Sequence, residues 1–270
     1  MHKVDKRISM KSELIKCSVC RSIMNYYLTK TLMDTYEVKY LRCTKCGIIQ
    51  TEKPYWLKEA YSSAIIDSDT GIISRNTVLS KITAIVCLLF LGKTSRVLDY
   101  GGGYGILTRM LRDIGVDCYW SDKYAKNLFA RGFEGKSGAR FDVVTAFELF
   151  EHLENPLDEV DKILKEYKPK MLLFSTMLHN GNPSKDWWYF VPEGGQHITL
   201  YTKKSIGILA KKMKMKLSTN GRNIHIFSKK KIPGFVVKLI SVLWPLISVI
   251  FPLFFKSKTI GDRTKIAASK

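Results

Sequence analysis

Nine consecutive residues near the middle of the chain decide the fold: Val97-Leu98-Asp99-Tyr100-Gly101-Gly102-Gly103-Tyr104-Gly105. Two apolar β-formers lead into an acidic residue, and glycines then occupy every second position. A buried parallel strand that ends in a glycine-rich turn lets a ligand approach the backbone, because glycine adopts positive φ and has no Cβ. The following residues, Ile106 to Arg112, indicate a helix start whose amide N–H groups would face that ligand.

The spacing of this turn is D-x-G-x-G-x-G, which differs from the dinucleotide pattern G-x-G-x-x-G. It resembles motif I of class I S-adenosylmethionine (SAM) methyltransferases, and the resemblance implies SAM as the cofactor. A second acid for the ribose hydroxyls is expected about 20 residues further on, at the end of the next strand. Asp122 occupies that place, and Asp117, which opens the same strand, is the competing choice.

A second block, from Asp142 to Leu153, has the pattern D-V-V-x-x-x-E-x-x-E-H-L, and Asn155-Pro156 follows it. This block resembles the post-strand motif of a large bacterial methyltransferase family that acts on small molecules and sugars. Phe147 and Glu148 would then lie just past a strand end, beside the cofactor. The predicted cofactor-binding residues are Asp99, Tyr100, Gly101, Gly103, Gly105, Asp122, Phe147 and Glu148.

Strand-like and helix-like segments alternate over residues 95–231, which predicts an α/β fold with a doubly wound, mostly parallel sheet. The resemblance implies that this sheet is of the seven-stranded methyltransferase type. Between Asp122 and Phe141 the chain is short and glycine-rich, so the third strand and the adenine contact cannot be identified. The predicted strands are Arg96–Tyr100, Asp117–Ser121, Phe141–Ala146, Met171–Ser175, Lys216–Thr219 and Ile224–Ser228. The predicted helices are Val78–Leu91, Ile106–Ile114, Pro156–Lys165 and Lys203–Met213.

Two histidines are candidates for a catalytic base. His152 follows the fourth strand, and His197 lies in an aromatic and glycine-rich loop over residues 187–199. Methyl transfer requires alignment and, for a hydroxyl acceptor, a base. The alternatives are that His152 packs beside the cofactor and that the aromatic loop is a patch packed on the core.

Four cysteines form two C-x-x-C pairs, Cys17 with Cys20 and Cys43 with Cys46. Two such knuckles make a tetrahedral S₄ site suited to structural Zn²⁺, with a hairpin between them. The unit resembles the zinc-binding module of sugar C-methyltransferases, in which a histidine by the fourth strand, here His152, serves as base. It is shorter than in that family, and the family's long C-terminal domain is replaced by an apolar segment. Cys87 and Cys118 are predicted to be core residues.

The segment from Ile232 to Phe255 contains one charge, Lys238, and basic residues precede and follow it. Pro245 and Pro252 disfavour a straight span, and lysines on both sides favour an in-plane or re-entrant segment with both ends cytoplasmic. An anionic membrane surface would also account for part of the net charge of +20. The alternative is a helix pair in a dimer interface. The mixed polar residues 1–16 show no secretory signal, so a cytoplasmic location is expected.

These features divide the chain into a zinc ribbon (1–53), a helical linker or lid (54–94), a SAM-binding domain (95–231) and an apolar segment with a basic tail (232–270). The leading functional hypothesis is a membrane-associated SAM methyltransferase acting on a sugar, a small molecule or a lipid-linked glycan. An rRNA or tRNA methyltransferase is the second, since a ribbon and positive charge suit nucleic acid. A non-catalytic membrane-tethered scaffold is the third.

Overall fold

A computed structural model describes residues 15–62 and 68–268 of the chain. The expectation that residues 1–16 carry no secretory signal concerns a segment of which residues 1–14 lie outside the described residues. The strands in chain order are β1 Met24–Leu32, β2 Tyr36–Cys43, β3 Ile49–Thr51, β4 Arg96–Tyr100, β5 Asp117–Ser121, β6 Val143–Ala146, β7 Met171–Ser175, β8 Leu178–His179, β9 Thr199–Thr202, β10 Lys216–Thr219 and β11 Ile224–Ser228. The helices are α1 Leu57–Ala60, α2 Ile72–Phe90, α3 Ile106–Ile114, α4 Pro156–Tyr167, α5 Lys203–Lys212, α6 Gly234–Ser248, α7 Phe251–Phe254 and α8 Thr259–Ala268.

The central sheet has the strand order β10-β11-β7-β6-β4-β5. The four strands β5, β4, β6 and β7 are parallel, and β11 is antiparallel to both of its neighbours, β7 and β10. This confirms the doubly wound, mostly parallel α/β fold. The sheet has six strands in the described residues, rather than seven, because the segment after β5 forms only an isolated bridge between Trp120 and Glu134.

Helices cover both faces of this sheet. One face buries apolar side chains of α4 and α5, and the other buries those of α2, α3 and α6. Alternate strand residues serve the two faces, since Val97 packs on one side and Leu98 on the other. Helix α2 is long and apolar enough to cross a membrane by length and composition. Its contacts with α3 and α6 are those of a core helix, and Cys87 within it is buried, as Cys118 is in β5.

A second sheet has the order β1-β2-β3-β9-β8. Its first three strands come from the cysteine-rich segment, and β1 and β2 form the predicted hairpin. Strand β3 pairs with β9, since Ile49 and Gln50 lie opposite Leu200 and Thr199. The cysteine-rich segment and the methyltransferase-like region therefore share one sheet.

The C-terminal segment packs on the domain with part of its surface. Val237 and Ile240 of α6, together with Phe251 and Phe255, are buried in the cluster that also contains α2 and α3. The chain then returns along α3, where Asp262 of α8 accepts two hydrogen bonds from Arg112, at 2.7 and 2.6 Å. Both side chains are buried. The apolar segment is therefore partly core.

Candidate active site

The glycine turn follows β4 and opens onto α3. Gly101, Gly103 and Gly105 have φ values of +72°, +52° and +89°, which side-chain-bearing residues rarely adopt. The turn is tied to β5, because the N–H groups of Gly101 and Gly102 both donate to Ser121 O. A Cβ on Gly102 would lie 2.7 Å from the Asp99 carboxylate, so close packing, rather than backbone conformation, demands glycine there.

Asp99 lies beneath this turn and is fully buried. Its carboxylate accepts hydrogen bonds from the hydroxyls of Thr108 and Thr145, at 3.0 and 3.2 Å. Burial raises the pKa of Asp99 to about 6, against the opposing effect of the two threonine donors. Asp99 thus fixes the turn to α3 and β6 while it also lines the cavity above.

A cavity of about 480 Å³ lies above the glycine turn. It is in the size range of small-molecule and cofactor sites. Of the predicted site residues, it is lined by Asp99, Gly101, Gly103, Phe147, Glu148, His152 and His197.

The other three predicted residues stand outside the cavity lining. The Tyr100 hydroxyl donates to Glu159 in α4, and Gly105 is the N-cap residue of α3. Asp122 supports the turn, since its Oδ2 accepts the Gly103 N–H at 3.0 Å and its Oδ1 accepts the N–H groups of Tyr124 and Ala125.

Glu148 lies at the edge of the cavity with a strained backbone. Its φ is +49°, and such strain outside glycine clusters at functional sites. Ser175 holds it, accepting the Glu148 N–H at 2.8 Å and donating its hydroxyl to Glu148 Oε1 at 2.5 Å. Arg75 of α2 lies 3.6 Å from Glu148 Oε2 and makes two hydrogen bonds to Asp69. Arg75 and Asp69 were not predicted as site residues, because a single ion pair leaves no recognisable pattern in the sequence.

The two candidate histidines lie side by side. The ring centroids of His152 and His197 are 5.2 Å apart, although the residues come from different loops. Tyr189 O is 2.7 Å from His197 Nδ1, and Tyr61 Oη is 3.1 Å from His152 Nδ1. Burial lowers the pKa of His152 to about 3 and that of His197 to about 4. Both rings are therefore neutral around pH 7.

Glu151 lies beside the two histidines. Its carboxylate is fully buried, and Oε1 accepts the Tyr189 hydroxyl at 2.8 Å. Burial, reinforced by the charge of Glu148, raises the pKa of Glu151 to about 8. Single ligand atoms of Glu151, His152 and His197 lie within 4.8 Å of one another. The sequence analysis quoted Glu151 within its motif but gave it no role.

The loop that carries His197 is packed against the cysteine-rich segment. Tyr189, Phe190 and Ile198 share a buried cluster with Tyr40 of that segment and with Trp56, which follows the segment in the chain. Trp56 Nε1 donates to Gly195 O at 2.8 Å, and Tyr40 Oη donates to His197 O at 3.3 Å. The aromatic loop is thus held on the cysteine-rich unit, and the cavity is lined by Trp188 and Tyr189 from it.

The four paired cysteines converge. Their sulfur atoms all lie within 4.8 Å of one another, with Cys17 and Cys46 at 3.6 Å and Cys20 and Cys43 at 3.3 Å. A tetrahedral Zn–S₄ centre with bonds of about 2.3 Å needs sulfur atoms about 3.8 Å apart. The N–H of Cys20 points at the Cys17 sulfur and that of Cys46 at the Cys43 sulfur. The donor set fits a structural zinc ion.

Comparison with known proteins identifies the domain. A family model described as a methyltransferase domain matches residues 75–213, just over half of the 270 residues. The chain belongs to the methyltransferase-domain family. The match includes the glycine turn, Glu148, Glu151 and both histidines of the cavity, and it supports SAM as the methyl donor.

One relative is protein arginine N-methyltransferase 1.1 of Arabidopsis thaliana, which is 33% identical over 129 residues. That alignment covers 45% of this chain and 30% of the relative, so the chain spans less than a third of the relative's length.

Among solved structures, CalO1, a methyltransferase in calicheamicin biosynthesis with SAH bound, is 14% identical with a TM-score of 0.45 and covers 60% of this chain and 55% of its own. The SAH complex of magnesium protoporphyrin IX methyltransferase from Synechocystis PCC 6803 is 16% identical with a TM-score of 0.43, and covers 64% and 92%.

Proposed function

We propose that the protein is a SAM-dependent methyltransferase that acts on a sugar-containing small molecule or lipid-linked glycan at a membrane surface. The observation that carries the proposal is one cavity with two chemically different walls. The glycine turn and the N-terminus of α3 form the wall that suits the cofactor, and His152, His197 and Trp188 form the wall that suits an acceptor.

SAM supplies a methyl group on a sulfonium, which an oxygen nucleophile can displace. In the transfer, the methyl carbon forms a bond to the acceptor oxygen as its bond to sulfur breaks, and sulfur keeps that electron pair. The chain must align the two groups and receive the hydroxyl proton. His197 is suited to receive it, because a Nδ1–H that donates to Tyr189 O leaves Nε2 with a free lone pair. His152 is the alternative base.

A sugar acceptor is supported by the polar and aromatic lining on the histidine side. Trp188 is 65% exposed and presents a ring to the cavity, and indole rings pack well on the C–H faces of sugars. Asn76, Gln196 and Glu193 line the same cavity and offer hydrogen-bonding groups for hydroxyls.

Zinc in the four-cysteine unit would be structural. Four thiolates leave no open coordination position, and none of the four cysteines lines the cavity. The ion would stabilise the hairpin, and through the pairing of β3 with β9 it would keep that loop in place.

The proposed membrane contact is the exposed face of α6 and α7. Phe235, Val242, Leu246, Val249 and Leu253 are each more than 60% exposed, and exposed apolar side chains grouped in this way mark interaction or membrane sites. Lysines 229–231 precede this face, and Lys256 and Lys258 follow it. This charge pattern complements an anionic leaflet and supports the proposal of a cytoplasmic, peripheral location.

The acceptor is tested with purified protein, SAM and three acceptor sets: nucleotide-linked sugars, undecaprenyl-linked glycans and tRNA or rRNA fragments. Transfer of radioactive methyl to one of the first two supports the proposal. Transfer to RNA alone establishes the RNA methyltransferase, and a chain that binds no SAM in calorimetry is the scaffold.

Membrane binding is tested by co-sedimentation with vesicles, with and without phosphatidylglycerol. Leu246→Glu with Leu253→Glu should abolish binding, whereas Ile73→Glu, an exposed apolar position on α2, should not. A double variant that sediments like the unchanged protein excludes this face as the contact.

A further inference from the structure

The wall that contains the two histidines has an unsatisfied acceptor. Glu151 Oε2 is buried and has no hydrogen-bond partner in the described part of the chain, while Oε1 is held by Tyr189. A buried carboxylate oxygen without a donor is unfavourable, and such atoms in native proteins need a specific explanation. One carboxylate oxygen of Glu151 and one ring nitrogen each of His152 and His197 lie within 4.8 Å of one another.

The two rings are oriented as metal ligands usually are. A ligating histidine donates its other N–H to a carbonyl, a carboxylate or a hydroxyl, which fixes the tautomer and the ring. Tyr189 O accepts from His197 Nδ1 in this way. Tyr61 Oη is placed to accept from His152 Nδ1. Both Nε2 lone pairs are then available, and the Glu151 carboxylate is supported by the Tyr189 hydroxyl.

We propose that Glu151, His152 and His197 bind one divalent transition-metal cation, of the class of Mn²⁺, Co²⁺ or Zn²⁺, at the acceptor end of the cavity. Two imidazoles and one carboxylate suit these cations better than Mg²⁺ or Ca²⁺, which prefer all-oxygen sites. Bonds of about 2.1 Å place ligand atoms about 3 to 3.5 Å apart. The separations of up to 4.8 Å therefore have to shorten by at most about 1 to 2 Å, which side-chain rotation can supply.

The site leaves coordination positions open on its cavity side. Three protein ligands with open positions are typical of catalytic rather than structural centres, and His152 and His197 both line the cavity. This cation site is distinct from the four-cysteine unit, whose donors are all sulfur.

The role of the cation rests on the proposed methyl transfer, although its binding does not. Open positions would hold one or two acceptor oxygens, and a cation lowers the pKa of an oxygen bound to it. The acceptor hydroxyl would lose its proton to a water molecule, and the oxygen would form its bond to the methyl carbon as the carbon–sulfur bond breaks. The histidines are then ligands, and vicinal hydroxyls are the favoured acceptor.

The test uses the full chain with zinc retained and MnCl₂ as the probe. Thiolates are poor ligands for Mn²⁺, so the four-cysteine unit should not bind the probe. Titration followed by electron paramagnetic resonance should show one Mn²⁺ per chain. Glu151→Gln and His197→Ala should each weaken that binding by at least about 10-fold, in the range that loss of metal-supporting groups produces. SAM affinity, measured by calorimetry, should stay within about threefold in both variants.

The matched control is His179→Gln. His179 is a buried histidine on β8 that neither lines the cavity nor belongs to the cluster of Glu151, His152 and His197. It should bind Mn²⁺ as the unchanged protein does, with folding checked by circular dichroism for all variants. Unchanged protein that binds SAM but no Mn²⁺ or Co²⁺ at millimolar concentration overturns the cation site and leaves a histidine base. Protein that binds Mn²⁺ but no SAM overturns the proposed function and leaves the cation site standing.

Discussion

The cofactor wall and the acceptor wall of the cavity are built in different ways. The cofactor wall is one continuous stretch, Asp99 to Gly105, supported by the strands beside it. The acceptor wall joins His152, from the turn after β6, to His197, from a loop held by Tyr40 of the cysteine-rich segment and by Trp56 just after it. A local wall depends on its own residues, whereas an assembled wall depends on distant parts of the chain. Four substitutions test this difference. The first, with the largest expected effect, asks whether the cofactor wall also depends on a distant residue, through the ion pair that holds α3.

Asp262→Asn removes the buried partner of Arg112, which lies on α3 directly after the glycine turn. Breaking a buried ion pair costs up to about 3 to 5 kcal/mol. Asp117, 3.2 Å from Arg112, still offsets part of the remaining charge, so a loss near the lower end of this range is expected. Urea unfolding should show that loss. The control is Asp161→Asn, which breaks an exposed pair with Lys165 and should cost less than about 1 kcal/mol. Equal stabilities would show that the tail does not support this wall.

Cys43→Ser removes one ligand of the proposed zinc site. We expect kcat/KM to fall by about 100-fold or more, since a displacement of about 1 Å at a reacting group can cost that much. SAM affinity should change by less than about threefold, because the cofactor wall lies elsewhere. Cys87→Ser, a buried cysteine of α2 outside the cluster, is the control for loss of a thiol. Loss of SAM binding in Cys43→Ser would mean that the walls are not separable.

Gly103→Val acts on the cofactor wall alone. A Cβ at this position meets no atom within 4 Å and would stand over the turn, at a φ of +52°. SAM should bind at least about 10-fold more weakly, a loss of about 1.4 kcal/mol. Gly138→Val is the matched control, because its φ is +76° and its Cβ also meets nothing within 4 Å. Similar calorimetric affinities for the two variants would place the cofactor elsewhere.

Trp56→Phe keeps an aromatic ring but removes the hydrogen bond to Gly195 O. One such bond contributes about 0.5 to 1.5 kcal/mol, so KM for the acceptor should rise up to about 10-fold with little change in SAM affinity. Trp244→Phe in α6 is the control, since Trp244 packs in the cluster with α2 and α3. An unchanged KM in Trp56→Phe would show that the loop of His197 keeps its position without the hydrogen bond from Trp56 to Gly195 O.

Local pattern was enough for the parallel strands β4, β5 and β7, whose bounds were predicted without error. It was also enough for the glycine turn, for the burial of Asp99 at a strand end and for the convergence of the cysteines. Strand periodicity, glycine spacing and C-x-x-C pairs are short-range signals, and each reports a local backbone requirement. The strand predicted over Phe141–Ala146 starts two residues later, at Val143. Asp142 instead accepts the Arg96 N–H with its side-chain oxygen Oδ2, at 3.0 Å.

Only the tertiary structure decided which distant groups meet. The pairing of β3 with β9, the contact of His152 with His197 and the ion pair of Arg112 with Asp262 join residues far apart in the chain. Such contacts leave no periodicity, since each requires only one suitable side chain at one position. The apolar run after Ile232 shows the same limit. Its composition predicted a membrane-associating segment or a dimer interface, but only packing decided that Val237 and Ile240 face the core while Leu246 and Leu253 face outward.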